Sequence, residues 1–216
     1  MRYEYIFWDW NGTLLDDAVA TCDAVNSMLI ARSLPVITLE QYRDLIEVPI
    51  IGFYKKVMDI SGETMESISE EFHARWAEHL PSSPIMSDAV DILNKIKESG
   101  RKQYIFSSTQ NKLISPFLTQ YGITSCFECV LGAPDCHVGS KVERTRSYLE
   151  QNGIPKEKAL FIGDMVHDSE VASAIGSDCL LVYKGHQSEK ALRATGRKVV
   201  ASLSDVFAYL NNDNAL

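Results

Sequence analysis

The sequence lacks any apolar run long enough to cross a lipid bilayer, which takes about 20 consecutive apolar residues in a helix. Its first residues also lack the form of a signal peptide, because the apolar stretch there is very short and Glu4 and Asp9 interrupt it. From these absences we expect a cytoplasmic protein that has no membrane partner.

Positive charge is scarce. The 216 residues include 21 Lys and Arg against 29 Asp and Glu, which gives a net charge of −8. This deficit argues against binding to nucleic acids or anionic membranes, since both need a basic surface. Binding of a small anionic substrate is still compatible with this charge, because one basic residue or a bound cation can make the local electrostatic potential positive. The sequence leaves the choice between monomer and homodimer open.

Cysteine is scarce too, with five residues, an odd number. Without an export signal, we expect free thiols rather than disulfides. The grouping of Cys126, Cys129, Cys136 and His137 raises a structural zinc site as an alternative. Cys136 and His137 are adjacent, however, and adjacent residues rarely point at one ion, so buried core thiols are the favoured interpretation.

The residues that are present have a globular composition, 45% hydrophobic and 23% charged. Residues 3–8 predict a strand. Helical spacing then runs from residue 16 to residue 80, with Thr38 and Gln41 as a capping box for the second helix. The linker PSSP, residues 81–84, ends this block. We therefore expect a core domain made of residues 1–15 and 85–216, and an all-helical cap domain made of residues 16–84.

After the linker, strands and helices alternate. Strands are predicted at residues 103–106, 128–131, 159–162 and 179–183, each followed by a helical pattern or a turn signal. With the first strand, this predicts an α/β fold: a doubly wound, mostly parallel, five-stranded Rossmann-like core. Ligands of such sheets bind at the carboxyl ends of the strands. The residues at these ends are therefore candidate site residues: Asp9, Asn11, Ser107, Ser108, Asp164 and Asp168.

The stretch FWDWNGTLLDD, residues 7–17, allows two interpretations. An Asn-Gly pair between apolar residues is a strong hairpin signal, and Asp9 could simply end a strand in a turn. The helical spacing after Gly12 argues against a hairpin, which needs a second strand. Burying an unpaired carboxylate next to a strand is also costly, and Lys141 and Asp164, taken together with Asp9, make a turn alone the less favoured interpretation.

Four motifs, in this order, resemble those of the haloacid dehalogenase-like superfamily, and the layout is closest to its phosphoglycolate-phosphatase-like branch. Residues 9–13, DWNGT, resemble the signature D-x-D-G-T, and YIFS ends at Ser107. An isolated lysine follows at Lys141, and FIGDMVHD contains Asp164 and Asp168. The helical insertion is similar to the mobile cap of that family. The resemblance covers essentially the whole chain and implies a Mg²⁺-dependent phosphatase.

The resemblance also implies roles for particular residues. Asp9 would be the nucleophile that forms an aspartyl-phosphate, and Lys141 would neutralise charge on the phosphoryl group. The implied catalytic residues are Asp9, Asn11, Ser107 and Lys141. The implied substrate-binding residues are Gly12, Thr13, Ser107, Ser108 and Lys141. The implied Mg²⁺ ligands are Asp9, Asp164, Asp168 and the backbone carbonyl of Asn11.

Asn11 departs from the family, which normally has Asp there to protonate the leaving oxygen and then activate water. Asn keeps the backbone carbonyl but cannot exchange a proton, and losing general acid–base catalysis costs ~10²–10⁴-fold. Slow hydrolysis, a replacement acid such as His167, deamidation of Asn11, and ligand binding without turnover all stay open. On this reasoning, Asn11→Asp is expected to raise activity.

The function expected from the sequence is hydrolysis of a small phosphorylated metabolite through an aspartyl-phosphate, with Mg²⁺ as the cofactor. The alternative is a catalytically impaired protein that binds or senses a phosphorylated ligand on the same fold. A third possibility is another hydrolase, such as a dehalogenase, which the paired carboxylates and Lys141 disfavour because a dehalogenase needs no Mg²⁺ site.

Overall fold

A computed structural model of the protein describes residues 1–133 and 141–212. Within these ranges, the centre of the fold is a sheet of six strands that are all parallel to their neighbours. The strands are β1 (Tyr5–Trp8), β2 (Lys102–Gln110), β3 (Cys129–Ala133), β4 (Ala159–Gly163), β5 (Asp178–Val182) and β6 (Lys198–Val200). Their order across the sheet is β3-β2-β1-β4-β5-β6.

The helices fall into two sets. Those between β1 and Leu80 are α1 (Ala18–Ala31), α2 (Leu39–Leu45), α3 (Ile50–Val57) and α4 (Met65–His79). Those that follow are α5 (Ala89–Glu98), α6 (Asn111–Gln120), α7 (Lys141–Gln151), α8 (Val166–Ile175), α9 (Glu189–Ala194) and α10 (Leu203–Asn211). In the described part of the chain, none of these helices is long and apolar enough to cross a membrane.

The predicted α/β fold with a doubly wound parallel sheet is confirmed, but the predicted count of five strands is wrong. The sixth strand, β6, pairs with β5 at the edge of the sheet and is three residues long. A run this short shows no periodicity that a sequence pattern could reveal. The preceding helix α9 is missing from the sequence prediction for the same reason, since it has six residues.

Both faces of the sheet are buried at its centre, which explains why β1 and β4 are apolar at successive positions rather than alternating. Successive side chains of a strand point to opposite faces. Ile6 and Trp8 therefore join a core with α5, α6 and α10, while Phe7 joins a second core with α7 and α8. These two cores fix β1 in the middle of the sheet.

The position of β1 determines where a site can form. Trp8 lies beside Ile105 of β2 on one side and beside Ile162 of β4 on the other. The chain leaving β1 therefore emerges next to the chain leaving β4, and the strand order reverses between these two strands. This is the crevice in which doubly wound sheets bind their ligands.

Helices α1–α4 surround a hydrophobic cluster of their own, whose largest members include Met28, Tyr42 and Phe53. The two connections to the sheet run side by side. The N–H of Met86 donates to the carbonyl of Leu14 at 2.8 Å, and the N–H of Asp16 donates to that of Pro84 at 2.9 Å. The division into a core domain and a cap domain at residues 16–84 remains a prediction.

Several local predictions can be compared with the structure. The capping box of Thr38 and Gln41 is present at the start of α2. Ser107 and Ser108 belong to β2, which is longer than predicted and shifts its register against β3 between Phe106 and Gln110. Cys126 is buried in the core, whereas Cys136 and His137 lie outside the described residues.

Candidate active site

Asp9 lies directly after β1, where its N–H donates to the carbonyl of Ile162 at 2.8 Å. Lys141 is the first residue of α7, and its side chain extends to Asp9. Its Nζ donates to Oδ1 of Asp9 at 2.6 Å and to Oδ1 of Asp168 at 2.8 Å. The structure thus brings together three predicted site residues that are distant in the sequence.

Asp164 completes a group that we call the carboxylate cluster: Asp9, Asp164 and Asp168. One carboxylate oxygen of each residue lies within 4.8 Å of one oxygen of each of the others, and all three residues are buried. Asp164 is held by two donors, the hydroxyl of Thr13 at 2.8 Å and the backbone N–H of His186 at 2.7 Å. Thr13, predicted to contact substrate, here orients a member of the cluster.

The carboxylate cluster carries more negative charge than Lys141 can balance. Burial, together with the charges of Asp168 and Asp164, raises the pKa of Asp9 to about 8 although Lys141 opposes the shift. Burial likewise raises the pKa of Asp164 to about 6, with His186 opposing and Asp168 adding to the rise. A buried, oxygen-only donor set with excess negative charge is the kind that holds a hard divalent cation.

The side chain of Asn11 is hydrogen-bonded to two residues that do not belong to the carboxylate cluster. Its Nδ2 donates to Oδ2 of Asp17 at 2.6 Å, and its Oδ1 accepts from the hydroxyl of Thr109 at 2.5 Å. An ionised carboxylate can only accept hydrogen bonds, so the nitrogen of the Asn11 amide must face Asp17 and its oxygen must face Thr109. Both ends of the Asn11 side chain are therefore engaged.

Asp17 and His186 form a buried pair that sequence reasoning missed. Nε2 of His186 lies 3.1 Å from Oδ1 of Asp17, and its Nδ1 lies 2.8 Å from the hydroxyl of Tyr42 in α2. Burial lowers the pKa of His186, but the charges of Asp17, Asp164 and Asp9 outweigh it and raise the pKa to about 9. Burial raises the pKa of Asp17, but His186 and the hydrogen bonds from Asn11 and Gly12 hold it below its ordinary value.

A sequence signal for His186 did exist. Gly185-His186 follows β5 at the same edge of the sheet as the other candidates, and a histidine just after a strand end is such a signal. Gly185 also marks a close approach, because a Cβ there would lie 2.2 Å from Oδ2 of Asp164. Gly12, whose φ is +73°, would likewise place a Cβ 2.2 Å from that oxygen.

Ser107 and Ser108 differ in their surroundings. Ser107 is buried, and its Oγ accepts the N–H of Thr109 at 3.0 Å, which leaves the hydroxyl proton available. Its backbone carbonyl accepts from Nη2 of Arg144 at 2.7 Å. Ser108 is exposed. The burial of Ser107 at the end of β2 favours it over Ser108 as a ligand of a bound group.

His167, the candidate replacement acid, lies in the first turn of α8. Its side chain is 31% exposed, and its Nδ1 lies 3.4 Å from Glu170. The buried histidine beside Asn11 in the structure is His186 instead. His167 is close to Asp164 in the sequence, but the histidine that contacts Asp17, the partner of Asn11, is His186.

The segment after β5 also ties helix α2 to the site. Nε of Arg43 donates to the carbonyl of Gly185 at 2.9 Å, and Nη2 of Arg43 donates to that of Lys184 at 2.5 Å. Gln187 accepts the N–H of Val166 at 2.6 Å and donates to the carbonyl of Ile46 at 3.0 Å. Arg43 is thus bound to two backbone carbonyls of the segment after β5.

A doubly wound parallel sheet with a buried carboxylate cluster and a lysine at its switch point defines a class of hydrolases that act at the carboxyl edge of the sheet. Residues 6–182 match the family described as haloacid dehalogenase-like hydrolases, and the chain belongs to that family. The family predicted from the motifs is thereby confirmed, and this membership makes the protein a haloacid dehalogenase-like hydrolase.

Two relatives and one solved structure show the range of similar proteins. N-acetylmuramic acid 6-phosphate phosphatase of Pseudomonas aeruginosa is 25% identical over 191 residues, 86% of this chain and 84% of that one. Phosphoglycolate phosphatase of Photorhabdus laumondii is 23% identical over 94% of this chain and 90% of its own. A candidate phosphoglycolate phosphatase of Lactobacillus delbrueckii subsp. bulgaricus superposes with a TM-score of 0.80 at 18% identity, covering 99% and 100% of the two chains. At that identity, the superposition establishes the fold.

Proposed function

We propose that this family member is a Mg²⁺-dependent phosphatase that hydrolyses a small phosphorylated metabolite through a phosphoryl group carried on Asp9. The observation that carries the proposal is the contact of Asp9 with Lys141 inside the carboxylate cluster, at the switch point of the sheet. A carboxylate there can act as a nucleophile, while the neighbouring ammonium balances charge on the incoming phosphate.

The donor set fits Mg²⁺. The carboxylates of Asp9 and Asp164 and the backbone carbonyl of Asn11 would hold the ion, with Asp168 binding to it directly or through water. Burial, together with the neighbouring carboxylates, raises the pKa of Asp9 to about 8, and a divalent cation would stabilise the ionised form against both. When bound, Mg²⁺ supplies positive charge that orients the phosphate and stabilises its oxygens during transfer.

In the first step, an oxygen of Asp9 forms a bond to phosphorus while the bond from phosphorus to the leaving oxygen breaks. Ser107 donates its hydroxyl proton in a hydrogen bond to a phosphoryl oxygen, and Lys141 neutralises charge beside it. Water then attacks the phosphoryl group on Asp9 and releases inorganic phosphate. Because Asn11 cannot give a proton to the leaving oxygen, esters with good leaving groups are the favoured substrates.

The names of two relatives refer to a sugar phosphate and to phosphoglycolate, and these names support a proposal for the substrate class. We propose a metabolite of this class, a small phosphomonoester, and the cytoplasm as its compartment. Helices α1–α4 are proposed to be the cap, residues 16–84, that selects the substrate. Their own hydrophobic cluster and their paired connections to the sheet support this division.

The test is a Mg²⁺-dependent phosphatase screen with p-nitrophenyl phosphate and a panel of sugar and acid phosphates. Asp9→Asn is expected to lower kcat by ~10³-fold or more, because the nucleophile is removed. The matched control is Asp16→Asn, which neutralises an exposed acid seven positions along the same stretch.

Three outcomes would decide between the candidate functions. Activity in wild type and Asp16→Asn, with none in Asp9→Asn, supports the covalent mechanism. Equal activity in Asp9→Asn contradicts it. Binding of phosphate or orthovanadate without turnover would support the alternative, a protein that binds a phosphorylated ligand.

A further inference from the structure

The buried carboxylate of Asp17 has no part in the proposed reaction, yet it holds the loop that carries Asn11. The side chain is 1% exposed. Its Oδ1 accepts the N–H of Gly12 at 2.9 Å and lies 3.1 Å from Nε2 of His186. Its Oδ2 accepts from Nδ2 of Asn11 at 2.6 Å. Asp17 thus touches both residues that follow Trp10 in the loop.

Asp17 lies at the start of helix α1, where an acidic residue would ordinarily cap the helix. Here its side chain makes no capping hydrogen bond to the helix. It turns back toward the loop instead, where His186 from the end of β5 supplies the opposite charge. The hydroxyl of Thr21 in α1 donates to Oδ2 of Asp17 at 3.4 Å. The contacts with Asn11 and Gly12 are shorter, which indicates that Asp17 serves the loop of Asn11 more than the helix that it precedes.

The contact at 2.6 Å requires a donor at position 11. A carboxylate at that position would bring two groups that only accept hydrogen bonds to the same distance, and two carboxylates in contact cannot both be ionised. Asn is therefore the residue that fits beside an ionised Asp17. The D-x-D-G-T signature has a carboxylate at position 11. In this chain, position 11 is an amide, and the carboxylate at this contact belongs to Asp17.

We propose that Asp17, paired with His186, is a positioning residue that fits the catalytic loop to an amide at position 11. The proposal rests on the proposed function, since the loop matters because it carries Asp9 and Asn11. Asp17 orients the amide of Asn11 and anchors the N–H of Gly12. The same contact makes Asn11→Asp, by itself, an unfavourable change in this chain.

The pair of substitutions Asn11→Asp and Asp17→Asn exchanges donor and acceptor without changing the shape of either side chain. In the double variant, the amide at position 17 can donate to the carboxylate at position 11. The carbonyl oxygen of that amide can accept from Gly12 and from neutral His186, while Thr109 still donates to position 11. Asn11→Asp alone brings two acceptors together, and Asp17→Asn alone removes the negative charge that faces His186. In the double variant, a donor at position 17 meets an acceptor at position 11.

The experiment compares wild type, the two single variants and the double variant. Each single variant is expected to lower Tm by about 5–10 °C, because a buried charge loses its partner or meets a like charge. The double variant is expected to regain most of that loss. The control Asn11→Asp with Asp16→Asn restores the net charge at an exposed site and is expected to regain none of it.

A second measurement distinguishes positioning from a merely structural role. The ratio of kcat for phosphoglycolate, a poor leaving group, to kcat for p-nitrophenyl phosphate, a good one, reports on the group at position 11. In the double variant this ratio is expected to rise by ~10-fold or more above that of Asn11→Asp, with KM little changed, because a correctly held carboxyl group can transfer protons.

The outcomes are distinguishable from those of the proposed function. If Asn11→Asp is as stable as wild type, or the double variant is no more stable than the single variants, the proposal is wrong. If stability is recovered and the kcat ratio stays unchanged, Asp17 has a structural role alone and the positioning proposal is overturned. If all four proteins lack phosphatase activity, the proposed function fails, and binding of orthovanadate in Mg²⁺ then replaces kcat: tighter binding in the double variant than in either single variant supports positioning, and equal binding overturns it.

Discussion

At the residue scale, Lys141 is the group on which the charge balance of the carboxylate cluster depends. Its side chain is 6% exposed, and it contacts two of the three carboxylates. Burial lowers the pKa of Lys141, but Asp168 and Asp9 outweigh this effect and raise it above its ordinary value. The ammonium therefore stays charged wherever the carboxylates are ionised.

We expect Lys141→Met to reduce the free energy of unfolding of the Mg²⁺-free protein by about 3–5 kcal/mol at pH 8, because it leaves buried carboxylates without their cation. The loss should be smaller at pH 5, where Asp9 and Asp164 are protonated. Urea denaturation at the two pH values measures both. Lys95→Met is the control, since Lys95 forms an exposed pair with Asp91 and should cost less than about 1 kcal/mol. Equal losses in the two variants would contradict the role of Lys141.

The roles of Asn11 and Asp17 belong to the same scale. The sequence comparison with the D-x-D-G-T signature predicts a gain of activity from Asn11→Asp. The structure changes this expectation, because the new carboxylate would meet Asp17. Restoring the family's Asp at position 11 can raise activity only if the neighbouring side chains fit a carboxylate. Here Asp17 fits an amide, because it accepts a hydrogen bond from Asn11.

At the element scale, the segment after β5, residues 184–186, borders the candidate site, although none of the four sequence motifs includes it. It supplies the N–H of His186 to Asp164, and it binds helix α2 through the carbonyls of Lys184 and Gly185. A single short loop thus contacts both the carboxylate cluster and the helical segment. Its conformation is expected to affect metal binding as well as the position of α2.

Gly185→Ala tests this loop. A Cβ at position 185 would lie 2.2 Å from Oδ2 of Asp164 and 2.5 Å from the backbone carbonyl of Gly12, so one of them must move. We expect Mg²⁺ affinity to fall by about 10–100-fold, the usual effect of disturbing a residue that supports a metal ligand. Isothermal titration with Mg²⁺ measures it.

The control for this prediction is Gly62→Ala. A Cβ at position 62 meets nothing within 4 Å, and this glycine also lacks a positive φ. Its Mg²⁺ affinity should match that of wild type. An unchanged affinity in Gly185→Ala would show that the loop adapts without disturbing Asp164.

At the scale of the whole molecule, buried charge couples stability to pH and to Mg²⁺. Ordinary carboxyl groups titrate near about 4, whereas the pKa of Asp9 is raised to about 8 and that of Asp164 to about 6. Between these values, the folded protein binds more protons than the unfolded chain does. The free energy of unfolding therefore falls as the pH rises through this range.

We accordingly expect Tm of the Mg²⁺-free protein to fall steadily between pH 5 and pH 8. His186 acts in the same direction, since its pKa is raised to about 9 and its pairing loses strength as the pH rises toward that value. Mg²⁺ should restore Tm, and its affinity should increase over the same interval because it competes with protons for the carboxylates. Scanning calorimetry with and without Mg²⁺ checks both trends, and a Tm that rises with pH in the Mg²⁺-free protein would contradict them.

Much of the molecule is predictable from the sequence. The buried strands β1 and β4 are continuous apolar segments of four and five residues. The polar residues that follow them, and those that end β2, mark one edge of the sheet because parallel strands end together. The edge strand β6 is an exception, since its three residues owe their conformation to pairing with β5. Short elements of this kind depend on their neighbours rather than on a pattern of their own.

The sequence by itself determined the parallel α/β core, the family, and the position of Asp9, Asp164, Asp168 and Lys141 at one edge, because periodicity and motif spacing are local properties of the chain. The pairing of Asp17 with His186 was decided by the tertiary structure. These residues are 169 positions apart, and their contact depends on how the start of α1 and the loop after β5 are oriented when the sheet assembles. No local pattern encodes that orientation, although it decides which side chain fits at position 11.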